Sequence, residues 1–170
     1  IALVSYSLTH GAVFLALKVD GSLLGRVQSA ARGLSLVTLV VMAAFSLWTW
    51  LAYSDDIVGV ILAVVTILAF VVVLVTVFSG RWLPAFWWNG VGALAFMFSI
   101  FFALYPNVLP STIDDGFTLT IAEAAASSYS LTVLAIVAVI GIPGVMAYQA
   151  WSFWVFRKRL TKETVDAGHY

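Results

Sequence analysis

The chain has 170 residues, of which 63% are hydrophobic and 9% are charged, and its mean hydropathy is +1.08. So little polar surface could not cover a soluble core of this size, which excludes a water-soluble globular fold. The formal charge is zero and cysteine is absent, so these residues form no disulfide, thiolate metal site or cysteine-bound iron–sulfur cluster.

Five apolar runs approach or exceed the roughly 20 residues that a helix needs to cross a bilayer. They are predicted at about 1–17, 33–53, 57–79, 86–105 and 128–156, and no charged residue interrupts them. Backbone groups in hydrocarbon must bond within their own segment, which favours helices. The predicted fold is all-α: an integral membrane helical bundle of five transmembrane helices, with 1–170 as a single bundle. Because the chain opens inside an apolar run at Ile1, we expect it to be a fragment of a longer protein.

The charged residues predict an orientation. All the basic residues fall in the first connection, the third connection or the C-terminal tail 157–170. They are Lys18, Arg26, Arg32, Arg81, Arg157, Lys158, Arg159 and Lys162. If the chain crosses the membrane five times, these three segments lie on the same side. The positive-inside rule makes that side, and the C-terminus, cytoplasmic. The opposite connections carry only acids, namely Asp55, Asp56, Asp114, Asp115 and Glu123.

Helix contacts in lipid rely on small residues, and the fourth span has a row of them on one face: Gly92, Ala95, Ser99 and Ala103. This row predicts a partner helix against that face. The tryptophans are predicted to form aromatic belts, with Trp48 and Trp50 at the outer boundary and the others at the inner one, namely Trp82, Trp87, Trp88, Trp151 and Trp154. In the last span, Pro143 lacks an amide hydrogen and predicts a kink.

His10 is the one ionisable side chain, apart from tyrosine hydroxyls, well inside a predicted span, and Ser5 and Thr9 accompany it. One interpretation is that such a group relays protons or contacts a ligand. The other is that it is neutral and forms a polar packing contact between helices. Both interpretations stay open. The other histidine, His169, is predicted at a different depth, so the two cannot share a haem. We therefore expect no catalytic, cofactor-binding or metal-ligating residue in this chain, and no nucleic-acid site.

The outer loop 106–127 is long enough to suggest a role. Its adjacent Asp114 and Asp115 could bind a cation, but without further oxygen ligands at defined spacing a solvated turn is the better explanation.

Particular residues resemble subunit II of the bacterial cytochrome bd quinol oxidases. The most specific stretch begins with Tyr105-Pro106-Asn107-Val108-Leu109-Pro110-Ser111-Thr112. Further matches follow in chain order: Leu119-Thr120, the residues from Ala124 to Ser128, Pro143, Tyr148-Gln149-Ala150-Trp151 and Phe156-Arg157. Near the start, His10-Gly11-Ala12 and Leu15-Ala16-Leu17-Lys18 are similar to a helix end of that family, and Leu160-Thr161-Lys162-Glu163 fits its tail. Thr112 and Val19 are small departures, since the family often has serine and threonine there.

The resemblance implies the C-terminal half of a larger two-bundle subunit, with four helices in a bundle and one peripheral helix. It implies a haem-free structural subunit of a quinol:oxygen oxidoreductase in the bacterial plasma membrane, with no catalytic centre in this chain. Haem b and haem d would belong to partner subunit I, and quinol would be the substrate of the complex. The other expected partners are the N-terminal half of subunit II and membrane lipids, with room for small accessory subunits.

Half of a secondary membrane transporter is the alternative, because fragments of repeated bundles can look alike in hydropathy. Such a protein should place polar groups near the midplane of broken helices. His10 and the break at Gly141, Pro143 and Gly144 are the features that would support it.

Overall fold

The computed structural model describes residues 1–53 and 57–157, and over these ranges the chain is almost entirely helical. The order is α1 (Ala2–Lys18), α2 (Ser22–Tyr53), α3 (Ile57–Phe78), α4 (Trp82–Leu104), β1 (Asn107–Leu109), β2 (Leu119–Thr120), α5 (Ile121–Ala124) and α6 (Ser128–Val155). Within the described residues, α2, α3, α4 and α6 are long and apolar enough to cross a membrane, and α1 is a shorter apolar helix. The predicted all-α membrane bundle is confirmed.

Helix α2 begins earlier than the span predicted within it. It starts at Ser22 and has 32 residues, which at 1.5 Å per residue is about 48 Å, well beyond the roughly 30 Å of a hydrocarbon core. The apolar pattern marks the part in lipid, whereas the helix continues through Arg26 and Arg32, whose side chains are exposed. The first connection is therefore a short turn around Gly21, whose φ of 70° suits glycine.

The chain divides into two compact units, residues 1–105 and 106–157 of the described part. The expectation of a single bundle over 1–170 stays a prediction, and part of its range lies outside the described residues. The first unit is a four-helix bundle in which α3 packs against α4 and α2, and α1 packs against α2 and α4.

Small residues line the interior of this bundle. On α4 the buried residues include Gly92, Ala95 and Ser99, as the small-residue row predicts. A Cβ atom built at Gly92 would lie 3.1 Å from the ring of Phe70 and 3.4 Å from the Cβ of Ala69, so the partner helix is α3. Glycine here allows two helices to approach closely where no hydrophobic driving force acts between them in lipid.

Most buried polar groups of the bundle are hydroxyls that bond a backbone carbonyl of their own helix. Ser35 donates to Arg32 O at 2.9 Å, Thr66 to Leu62 O at 2.8 Å, and Ser99 to Phe96 O at 2.8 Å. Such a bond satisfies the hydroxyl without a second helix, so it can lie in an apolar contact at little cost.

The tryptophans divide between surface and interior. Trp82 is 9% exposed and belongs to the core cluster with Val77 and Ala85, whereas Trp48 and Trp87 are exposed. Trp82 opens α4, and its side chain packs into the core of the bundle. The aromatic belts stay a prediction, with which the exposure of Trp48 and Trp87 agrees.

The second unit begins with an irregular antiparallel pair of short strands, β1 and β2, in the segment predicted as the outer loop. Within the turn between them, the Asp114 carboxylate accepts the Gly116 N–H at 2.8 Å. The hydroxyl of Ser111 accepts the N–H groups of Ile113 and Asp114. These bonds favour the turn interpretation of Asp114. The unit ends with α6, which runs as one helix through Pro143 and buries no side chain within this unit.

Helix α5 starts with a capping box. The Thr120 hydroxyl accepts the Glu123 N–H, and the Glu123 carboxylate accepts the Thr120 N–H at 3.0 Å and the Thr120 hydroxyl at 2.8 Å. The hydrogen bond from the Thr120 backbone, and to a lesser extent that from its side chain, hold the pKa of Glu123 below its ordinary value of 4.5.

We expect the order of this short helix to depend on pH. A depressed pKa means that the ionised Glu123 contributes stability that is present above pH 4.5 and is lost as the pH falls through the lower, folded value. Amide hydrogen exchange of 119–124 should therefore accelerate at acid pH, corrected for the intrinsic rate, and Glu123→Gln should remove that dependence. An unchanged acid dependence in the variant would contradict this role.

Candidate functional site

His10 lies in a cluster of aromatic side chains inside the first unit. Its ring stacks on Tyr6 of the same helix at 5.6 Å between centroids, and it faces Phe86 of α4 at 4.7 Å. Tyr6 also presents an edge contact with Phe70 of α3, at 6.4 Å between centroids. The His10 side chain therefore lies between α1 and α4, and its Nδ1 atom is buried without a hydrogen-bond partner among the described residues.

Thr9 and Ser5, which the sequence groups with His10, point elsewhere. The hydroxyls of Thr9 and Thr38 form a buried hydrogen bond of 2.8 Å that joins α1 to α2. Ser5 is buried and donates to Ala2 O of its own helix at 2.9 Å. The three residues thus serve different contacts: Thr9 links two helices, Ser5 is satisfied locally, and His10 packs among rings.

The Thr9–Thr38 bond predicts a measurable coupling. Each Thr→Val substitution leaves the other hydroxyl buried without its partner, so each should lower the free energy of unfolding by about 1 kcal/mol, the usual range for such bonds between membrane helices. The double variant should lose less than the sum, because the second substitution removes the stranded hydroxyl. Chemical unfolding in detergent measures this, and strict additivity would show that the bond contributes nothing.

Asn89 is a buried polar residue that the sequence reasoning missed. Its side chain is 0% exposed, and neither its Oδ1 nor its Nδ2 atom has a hydrogen-bond partner among the described residues. It lies on the interior face of α4 with Ala85 and Gly92. An amide alone inside an otherwise apolar span was the available signal, since such groups in lipid are expensive and face the protein interior.

No group of three or more His, Asp or Glu side chains that could hold a metal ion occurs within 1–53 and 57–157. The expectation that the chain has no catalytic, cofactor-binding or metal-ligating residue stays a prediction, because His169 lies outside these ranges. The bundle also has an open groove of about 600 Å³ with an almost wholly apolar lining, formed by α1, α2 and α4 around Phe45 and Phe96. Its lining offers hydrophobic contact and no ionisable group.

Comparisons with known proteins bear on what this bundle belongs to. Residues 1–156 match the sequence model of the family described as cytochrome bd terminal oxidase subunit II. The chain is 31% identical over 158 residues to the cytochrome bd ubiquinol oxidase subunit 2 of Bacillus subtilis, an alignment that covers 89% of this chain. It covers 46% of that relative, so the chain spans about half the length of the curated protein it matches.

The family match extends over the whole bundle, the paired strands and α6, and so includes every element described above. The resemblance to this family is thereby confirmed, and the apolar helices agree with a multi-pass membrane protein. This chain belongs to the cytochrome bd terminal oxidase subunit II family.

Proposed function

We propose that this chain is the C-terminal half of a haem-free structural subunit in a respiratory cytochrome bd quinol:oxygen oxidoreductase of the bacterial plasma membrane. The complex oxidises quinol on the outer side, reduces oxygen to water and takes up protons from the cytoplasm. Haems b and d belong to subunit I, and this chain scaffolds that subunit without a catalytic centre of its own. The observation that carries the proposal is the family match across residues 1–156.

The interior of the first unit supports a scaffolding role. At Gly92 the contact between α3 and α4 is short and filled by the protein's own side chains, since a Cβ atom there would already crowd Phe70. Closely packed interiors resist deformation and hold neighbouring surfaces in fixed positions. A rigid bundle of this kind can keep a partner subunit in register while the chemistry occurs elsewhere.

The outward surfaces of the helices support burial in a larger assembly or in lipid. Large apolar side chains are exposed along the first unit, among them Leu36, Leu68 and Phe101. Helix α6 likewise buries no side chain within its own unit. Subunit I, the N-terminal half of subunit II, membrane lipids and small accessory subunits are the proposed occupants of these surfaces.

For the residues singled out in the sequence, we propose packing roles within this scaffold. Thr9 joins two helices through a hydroxyl pair, Ser5 is satisfied by its own helix, and His10 packs between the rings of Tyr6 and Phe86. A neutral imidazole fits between rings, whereas a charged one in an apolar layer would need a counter-charge. None of the three is assigned a part in quinol oxidation.

The proposal is tested by purifying the full-length protein from its membrane in mild detergent with a tag on this subunit. A haem-bearing partner should copurify, the reduced-minus-oxidised spectrum should show the red absorption of haem d, and quinol should drive oxygen consumption. A tagged protein that brings down no haem-bearing partner would refute the assignment.

We expect His10→Phe to leave that spectrum unchanged, because the haems are proposed to lie wholly in subunit I. Phenylalanine keeps a flat ring between Tyr6 and Phe86 but cannot bind iron. Wild-type protein prepared in parallel is the reference. Selective loss of one haem signal, with the partner subunit still present in stoichiometric amount, would place a ligand in this chain and contradict the haem-free role.

A further inference from the structure

In the described part of the first unit, three residues have buried side-chain polar atoms without a hydrogen-bond partner, namely His10, Ser46 and Asn89. Two of the three groups belong to helices that face each other. They are the Asn89 side-chain amide on α4 and the Nδ1 atom of His10 on α1. In contrast, the buried hydroxyls of Ser5, Thr66 and Ser99 all have partners. Buried amides and imidazole nitrogens are hydrogen-bonded in stable proteins, because leaving them dry in an apolar interior is very unfavourable.

Contacts around the two groups place them at a common level of the bundle. The His10 ring touches Phe86, which lies one turn before Asn89 on α4. One turn beyond Asn89, Gly92 meets Phe70, and Phe70 in turn meets Tyr6, one turn before His10 on α1. Asn89 therefore lies opposite the Tyr6–His10 turn.

Helix direction brings the two polar groups closer still. Side chains on a helix lean toward its N-terminus. Phe86 of α4 lies opposite His10 of α1, and Gly92, further along α4, lies level with Tyr6, which comes before His10 on α1. The two helices therefore run antiparallel. Asn89 accordingly leans back toward the level of His10, and His10 leans toward the level of Asn89. The two side chains are therefore expected to lean toward each other, and they form no hydrogen bond with one another.

We propose that this convergence is an internal water site, in which one or two water molecules bridge the Asn89 amide and His10 Nδ1. Water suits both groups, since it can donate to Asn89 Oδ1, accept from Nδ2 and take either role toward an imidazole nitrogen. A buried water is retained where several otherwise unsatisfied polar atoms surround it, as they do here. The site links α1 to α4 through solvent, as Thr9 and Thr38 link α1 to α2 directly.

The direct test is a high-resolution cryo-electron microscopy map of the full-length protein in its native assembly. A peak within hydrogen-bond distance of both the Asn89 amide and His10 Nδ1 is expected. An empty space there, in a map that resolves waters bound elsewhere at comparable depth, would overturn the proposal. This outcome does not depend on the oxidase assignment, which the haem spectrum tests separately.

Variants test the same site by the sign of a stability change. Leucine is close to asparagine in size and shape, so Asn89→Leu would raise the unfolding temperature if the amide were dry and merely unsatisfied. If the amide holds a bridging water, the substitution strands His10 Nδ1 and should lower the unfolding temperature instead. A rise would overturn the proposal.

Coupling between the two residues is the matched measurement. The unfolding temperature of the double variant Asn89→Leu with His10→Phe should fall by less than the sum of the single effects, because one water serves both groups. Ser99→Ala is the control on the same helix face, since that hydroxyl is satisfied by Phe96 O. Its effect should add to that of Asn89→Leu. Additive losses for the Asn89 and His10 pair would refute a shared water.

Discussion

Gly92→Leu should lower the free energy of unfolding by about 1–3 kcal/mol, the range for overpacking a filled interior. The first added carbon would lie 3.1 Å from Cε2 and Cζ of Phe70, closer than nine in ten such contacts, and a leucine adds three further carbons beyond it. The Phe70 ring or helix α3 must then shift, and the packing between α3 and α4 is disturbed. Thermal or chemical unfolding of the full-length protein in mild detergent measures the loss.

Gly90→Leu is the matched control for this substitution. Gly90 lies on the same helix, two residues away, and a Cβ atom there has no neighbour within 4 Å. Both substitutions replace glycine by leucine in a helix interior, so the gain in helix propensity cancels between them. The control should be neutral or slightly stabilising. Equal losses at the two positions would show that the close approach to Phe70 is not what requires glycine.

A second-site change tests the identity of the opposing group. Phe70→Ala removes the ring that a leucine at position 92 would meet, so it should be less damaging in the Gly92→Leu background than in the wild type. On its own, Phe70→Ala should cost about 3–5 kcal/mol, because this ring is 1% exposed in the core. Failure of the pair to compensate would indicate that the strain falls on another neighbour, such as Ala69.

The sequence predicted the helical part of this fold well because hydropathy is a strong signal in lipid. The span predicted at 57–79 agrees with α3 to within one residue at its end, since its C-terminal boundary coincides with the turn at Ser79 and Gly80. The start of α2 was not predictable in this way. Its first turns are polar enough to lie outside hydrocarbon, and a membrane-length window does not detect a helix that continues into water.

The buried polar residues of the bundle, such as Thr9, His10 and Asn89, were only partly predictable from the sequence. His10 stands out in the sequence because it is ionisable, whereas Asn89 is neutral and lies beside Trp87 and Trp88, which suggest a membrane boundary. Which polar groups face one another depends on helix pairing, and the sequence does not say that Thr9 meets Thr38 or that His10 meets Phe86. Those pairings depend on which helices are neighbours in the bundle. A row of small residues indicates that a helix has a partner on that face, but it does not identify the partner.

Labelling from opposite sides of the membrane should give an all-or-none pattern. The chain has no cysteine, so single substitutions can be introduced without removing others. Ser79→Cys lies in the turn before Arg81, on the side that the positive-inside rule assigns to the cytoplasm. Thr112→Cys lies in the acidic loop on the other side. Both side chains are exposed, so a thiol reagent that cannot cross the membrane should react wherever it is present.

In intact cells with the outer envelope opened, we expect the reagent to modify Thr112→Cys and to leave Ser79→Cys unmodified until the inner membrane is permeabilised. The physical reason is the distribution of charge: translocating Arg81 together with Arg26 and Arg32 is opposed by the mechanism that retains basic segments inside. The cysteine-free chain is the background control. Modification of Ser79→Cys from outside would show that the orientation is the reverse of the predicted one.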